Sequence, residues 1–195
     1  MNQDTIISLK QITLVTGPSR SGKSEWAETL AEQTGKFVTY VATAQVDESD
    51  PEWSSRIEKH QQRRPKSWKT LLVPVELAAT IRGYSESNCC LLVDSLGTWI
   101  ANLLEQEEEV WETTVQELFE SLTQTSATVV FVAEEVGWGV VPAYPIGRLF
   151  RDRLGNLVRQ LGKIANPVYL VTGGHVLNLC ALGKPLPDSA HREGM

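Results

Sequence analysis

The chain has 195 residues, 42% of them hydrophobic and 22% charged, which suits one globular domain over residues 1–195 with a full apolar core and leaves no room for a large second one. Its net charge of −6 argues against a general nucleic-acid binder, because nothing in the total offsets phosphate repulsion. Cys89, Cys90 and Cys180 form neither a disulfide framework nor a metal-ligand spacing, so core packing is expected of all three.

The first predicted element is a strand at residues 12–16. It runs into Gly17, Pro18, Ser19, Arg20, Ser21, Gly22, Lys23 and Ser24, a full match to G-x-x-x-x-G-K-[ST]. The glycines let backbone N–H groups turn inward around an anion, and the helix that follows adds its positive end. Lys23 can reach the terminal phosphates of a nucleotide, and the Ser24 hydroxyl can ligate Mg²⁺. A helix is predicted over 23–34, closed by Gly35, and then a strand at 37–42.

Asp50, Pro51 and Glu52 have the order of a helix start, with Asp at the cap and Pro in the first turn. Continued as a helix, Trp53, Arg56, Ile57, His60 and Arg64 fall near one face. Arg56, Lys59, Arg63, Arg64, Lys66 and Lys69 crowd this segment, whereas residues 83–147 contain no Lys or Arg. Such a cluster is either a solvated basic face or a local anion site in an acidic chain. A lone helical histidine is ordinarily structural. His60 differs in its cationic neighbours, which disfavour imidazolium and leave neutral imidazole as a nucleophile. The same charges can hold a triphosphate while its α-phosphorus is attacked.

Further strands are predicted at 90–93, 128–133 and 168–172, an exposed acidic helix at 111–122, and a helix closing over 155–164 before Pro167. A phosphate loop needs a carboxylate at a neighbouring strand end to hold Mg²⁺. Asp94 and the pair Glu134–Glu135 both qualify, and Asp94 is preferred. His175, after Gly173 and Gly174, is expected in a turn, and His191 lies in a polar tail. The near-continuous apolar strands imply burial on both faces. The expected fold is therefore α/β, a three-layer P-loop NTPase-type fold with a mostly parallel central sheet. No apolar run reaches the roughly 18 residues of a membrane helix, and the N-terminus carries no basic flank before an apolar stretch. A cytoplasmic location is expected.

Together these stretches resemble the bifunctional adenosylcobinamide kinase/adenosylcobinamide-phosphate guanylyltransferase family of cobalamin biosynthesis. The resemblance runs from about residue 12 to 169. It is carried by the phosphate loop, YVATAQ at 40–45, EWSSRIEKHQQRRPKSW at 52–68, LLVDSLGTWIANLL at 91–104, EVGWGVVP at 135–142 and RLFRDRLG at 148–155. It implies phosphorylation of adenosylcobinamide by ATP or GTP, then transfer of GMP from GTP through a guanylylated histidine, at His60 by position. It also implies that Ala42, Thr43, Ala44, Gln61, Gln62, Arg63 and Arg64 line the nucleotide site, that Asp94 is the metal-associated acid, and that the enzyme is a homo-oligomer, a trimer by likeness. At three places the chain departs from the family pattern: Leu72 replaces a Glu, Glu134 replaces the Asn of N-E-V-G, and Val158 and Arg159 replace an Asn-Gln pair. A single-function P-loop kinase, or a nucleotide-gated binding module, would share the loop without the guanylyl-histidine.

Overall fold

The order of elements follows from alternation of apolar runs with amphipathic stretches. In the computed structural model, the described residues are 12–45 and 64–187. The helix start at 50–53, His60, Gln61, Gln62, Arg63 and His191 lie outside them. β1 (Ile12–Gly17) is buried along its whole length. It leads through the loop to α1 (Lys23–Gln33) and β2 (Phe37–Ala42). After the undescribed stretch come β3 (Lys69–Leu72), α2 (Leu77–Gly83), β4 (Cys89–Asp94) and α3 (Leu96–Asn102). The chain continues through α4 (Glu108–Gln124), β5 (Thr128–Glu134), α5 (Pro145–Ile164) and β6 (Val168–Thr172). β7 (His175–Asn178) and the short α6 (Leu179–Leu182) end the described part.

The strands form one sheet in the order β3-β2-β4-β5-β1-β6-β7. Every neighbouring pair is parallel except β6 and β7, so the expected mostly parallel α/β sheet is observed. Alternate residues of β5 serve opposite faces, as the strand period of two requires. Val130 and Val132 join Ala27 and Ala31 of α1 in one core, while Val129, Phe131 and Ala133 join Leu154, Leu157 and Leu161 of α5 in the other. This makes three layers. All the parallel strands end at one edge, and there the phosphate loop sits.

Several elements differ from the expectations, each for a local reason. β3 and β7 carry no strand signal in the sequence, because both are four-residue edge strands whose side chains are mainly exposed, and so lack an apolar run. A tight turn of Gly173 and Gly174, both at positive φ (+57° and +75°), joins β6 to β7 as a two-residue hairpin does. His175 is the first residue of β7 rather than part of the turn. The 111–122 helix is not simply exposed: Trp111, Leu118 and Leu122 are buried, and Trp111 lies 5.9 Å from Trp99 between ring centroids. α5 begins ten residues before 155, with Pro145 in its first turn, where proline's missing N–H costs nothing. Cys90 is fully buried as expected, and burial pushes its thiol up to about 11. Cys180 is exposed, because α6 packs outside the main layers. No helix among the described residues is long and apolar enough to cross a membrane.

Candidate functional site

The phosphate loop is built by close packing at its start and unusual backbone at its end. A Cβ on Gly17 would run into the carbonyl oxygen of Val171 and the hydroxyl of Ser21, so only glycine allows the loop to leave β1 this tightly. Arg20 and Gly22 both take positive φ, +59° and +90°, and turn successive N–H groups toward one side. Gly22 caps α1, and its carbonyl accepts from the Trp26 N–H at 3.0 Å. The loop braces itself: Ser21 N–H donates to the Pro18 carbonyl at 3.3 Å, and the Lys23 N–H to Ser21 Oγ at 3.3 Å. Lys23 is only 7% exposed, and its Nζ donates back to the Pro18 carbonyl at 3.3 Å. The ammonium is therefore folded back onto the loop that carries it.

Asp94 ends β4, two strands from β1 in the sheet. That is about 10 Å at ordinary strand spacing. One of its oxygens accepts from the buried Tyr40 hydroxyl at 2.8 Å. Burial first, and then the Asp94 charge, hold the Tyr40 phenol well above its usual range against the opposing pull of Arg64. The Arg64 guanidinium carbon lies over the Tyr40 ring, 3.2 Å from its centroid. Thus Arg64, from the basic segment, reaches the same edge as Asp94. Among the described residues no group of three or more His, Cys, Asp and Glu forms a metal cluster. A hydroxyl at Ser24 and a single carboxylate at Asp94 instead suit Mg²⁺, which keeps waters and takes remaining ligands from substrate phosphates.

The segments between these groups are tied together by buried hydrogen bonds. Thr43, fully buried, donates through Oγ1 to the Ser95 carbonyl at 2.7 Å and accepts from the Ser95 N–H at 2.9 Å. Its own carbonyl accepts from Asn102 Nδ2 at 2.8 Å, and the same amide reaches the Pro74 carbonyl at 2.9 Å. The Thr43 hydroxyl therefore fixes the backbone after Asp94, and any contact of the 42–44 segment with a nucleotide falls to other atoms. On the loop side, Glu134 is the register partner of Gly17, and its carboxylate accepts from the Gly97 N–H at 2.9 Å. The Glu135 N–H donates to the Gly17 carbonyl at 3.0 Å. Residues 17–24, 42–44, Arg64 and Asp94 are all brought to this one edge.

Sequence reasoning gave no role to Tyr40, Asn102 or Gly97. Tyr40 had a visible signal, since a tyrosine inside an otherwise apolar strand must find a partner for its hydroxyl. Asn102 and Gly97 carried none, because their contacts come from chain segments far apart in sequence.

A family model described as cobinamide kinase/cobinamide phosphate guanyltransferase (CobU) matches residues 13–179. The chain belongs to this family. Among its relatives, the bifunctional adenosylcobalamin biosynthesis protein CobP of Pseudomonas aeruginosa is 38% identical over 174 residues, covering 89% of this chain and 98% of that protein. The bifunctional adenosylcobalamin biosynthesis protein CobU of Escherichia coli K12 is 35% identical over 175 residues, covering 83% and 95%. This CobU-family chain is accordingly a kinase and guanylyltransferase of cobalamin biosynthesis. In structure, it superposes on an ATPase of a bacterial type III secretion system with a TM-score of 0.54 at 14% identity, over 88% of this chain and 53% of that longer one. That likeness speaks for the fold alone. It agrees with the P-loop NTPase-type sheet expected of the CobU-family sequence.

Removing the phenol that holds the acid tests the edge directly. Tyr40→Phe should destabilise the protein by ~1–3 kcal/mol at neutral pH, the scale of a buried hydrogen bond to a charged group, as measured by urea unfolding. Because the folded phenol is raised, its contribution is complete below the ordinary tyrosine pKa of about 10 and is lost as pH rises further. The difference between wild type and Tyr40→Phe should therefore shrink in alkali.

Proposed function

We propose that one phosphate loop serves both half-reactions, and that Lys23, Ser24, Asp94 and His60 carry them. The observation behind this is the braced loop with Lys23 folded back onto it and Asp94 at the same edge. In the first reaction the nucleotide's phosphates lie on the N–H groups of residues 17–24. The aminopropanol hydroxyl oxygen of adenosylcobinamide attacks the γ-phosphorus, its proton passes to solvent, the bond to the bridging oxygen breaks, and the nucleoside diphosphate leaves. Lys23 balances charge on the transferred group. Mg²⁺ held by Ser24 and Asp94 would neutralise the phosphate oxygens. In the second reaction an imidazole nitrogen of His60 attacks the α-phosphorus of GTP and pyrophosphate leaves. A phosphate oxygen of adenosylcobinamide phosphate then attacks the same phosphorus, freeing the histidine and giving adenosylcobinamide-GDP.

Incubation with GTP labelled at the α-phosphate tests the whole scheme. Acid-labile label on the chain, discharged by adenosylcobinamide phosphate, supports it. Corrinoid phosphorylation without any label would leave only a kinase.

The base end is assigned to the outer side of β2 and β3. Leu72 pairs with Ala42 at the end of β3, and is 60% exposed. A carboxylate here would accept from guanine N1–H and its 2-amino group, contacts that adenine does not return, and polar sites of this kind discriminate strongly. Leucine offers no acceptor. Leu72→Glu should improve preference for GTP over ATP by about 1–3 kcal/mol, read from the ratio of dissociation constants in both proteins. A strong wild-type preference left unchanged by the substitution would place base recognition elsewhere.

A homo-oligomer, with the trimer as the specific expectation, is also proposed. Val140, Val141, Tyr144 and Ile146 are all more than half exposed, a run of apolar surface of the kind subunits cover. Mass measured by light scattering checks it.

A further inference from the structure

One cavity at the edge is not used by the nucleotide in this scheme. It encloses about 550 Å³ between residues 134–138, which leave β5, and residues 151–159 in the middle of α5. Its volume is that of a site for a drug-sized ligand.

Position is the first argument. Glu134 lines the cavity and is also the register partner of Gly17, so the cavity adjoins the phosphate loop. It lies on the α5 face of the sheet, whereas the loop feeds α1 on the opposite face. A nucleotide seated on the N-terminus of α1 leaves the α5 side of the edge open to a second substrate. Chemistry is the second. Trp138, 67% exposed, and Val158 give apolar walls, while Glu134 and Asp152 can accept from amides and Arg159 can donate to amide oxygens or phosphate. Arg151 is engaged in building the wall, donating to the Gly137 carbonyl at 3.0 Å.

We propose that this cavity is the acceptor subsite. It takes the amide-bearing rim of the corrinoid beside Trp138 and Val158, with the aminopropanol arm passing Glu134 toward residues 17–24. Arg159 then meets the phosphate that the first reaction adds. The inference rests on the assignment of the chain as a corrinoid kinase and guanylyltransferase.

The test uses the full chain, with Trp138→Ala and Arg159→Ala made separately, both at exposed positions. Kinase rates are measured at saturating ATP over a range of cobinamide, together with the dissociation constant for GTP and the mass of the assembly. The Michaelis constant for cobinamide should rise about tenfold in each variant, the usual scale for truncating a central contact. GTP affinity should stay within about twofold, and the mass should not change. An unchanged cobinamide constant in both variants, with wild type active, overturns the proposal while leaving the enzyme assignment intact. Loss of GTP affinity in step with the cobinamide effect overturns it as well, because the cavity would then belong to the nucleotide. Should wild type fail to phosphorylate cobinamide, the activity falls first. Quenching of tryptophan fluorescence by cobinamide, present in wild type and lost in Arg159→Ala, would still uphold the cavity as a corrinoid site, and its absence would end the proposal.

Discussion

Lys23→Ala is expected to lower corrinoid phosphorylation by about a hundredfold to a thousandfold in kcat, the cost of deleting one preorganised group aimed at developing charge. The geometry makes this more than a matter of net charge. Lys23 is buried, and its Nζ is already turned back over the loop by the Pro18 carbonyl, so little reorganisation is needed to meet a phosphate. The same geometry predicts a small structural effect. The side chain makes one hydrogen bond, and its loss should cost about 1 kcal/mol of stability. Rates at saturating nucleotide and corrinoid, with urea unfolding of the same preparation, separate the two effects. Wild-type turnover in a folded Lys23→Ala protein would remove this loop from the chemistry.

How much of this could be read in the residues depended on whether the signal was local. The parallel strands β1, β2, β4, β5 and β6 were legible because burial on both faces makes them mainly apolar, with scattered threonines such as Thr13 and Thr39. The phosphate loop was legible because its backbone demands glycine, and Gly17 does have the Val171 carbonyl where a Cβ would go. Edge strands escape that logic, since β3 and β7 have little to bury. The first half of α5 escaped too: its buried residues begin only at Arg153 and Leu154, so residues 145–152 lack the apolar stripe that marks a helix. The carboxylates at the edge show the limit most clearly. Asp94 and Glu134 both end apolar strands, and the sequence supports no more than a preference for Asp94. The fold gives each a different partner, the Tyr40 hydroxyl for Asp94 and the Gly97 N–H for Glu134.

His60→Ala should abolish covalent GMP on the chain and leave much of the kinase activity. A guanylyl phosphoramidate requires an imidazole nitrogen with a lone pair and a setting that neutralises the α-phosphate. The fold supplies a rival that must be tested beside it. His175 pairs with Thr172 at the end of β6, the strand next to β1, so it stands at the same edge as the loop. Its Nδ1 lies 2.8 Å from the Gly173 carbonyl; an oxygen there can only accept, so Nδ1 is the donor, and in the neutral tautomer this selects, Nε2 carries the lone pair. Nucleophilic nitrogen alone therefore does not decide between the two histidines. Charge does. His60 is flanked in sequence by Arg56, Lys59, Arg63 and Arg64, which can neutralise the α-phosphate beside the attacking nitrogen, whereas 173–183 contains no Lys or Arg and leaves that charge to the loop's Lys23 alone. The decisive comparison is label from α-labelled GTP retained in acid-quenched His60→Ala and His175→Ala. Loss in the first and retention in the second is the expected result. Label that survives in His60→Ala and disappears in His175→Ala would move the nucleophile to the hairpin after β6.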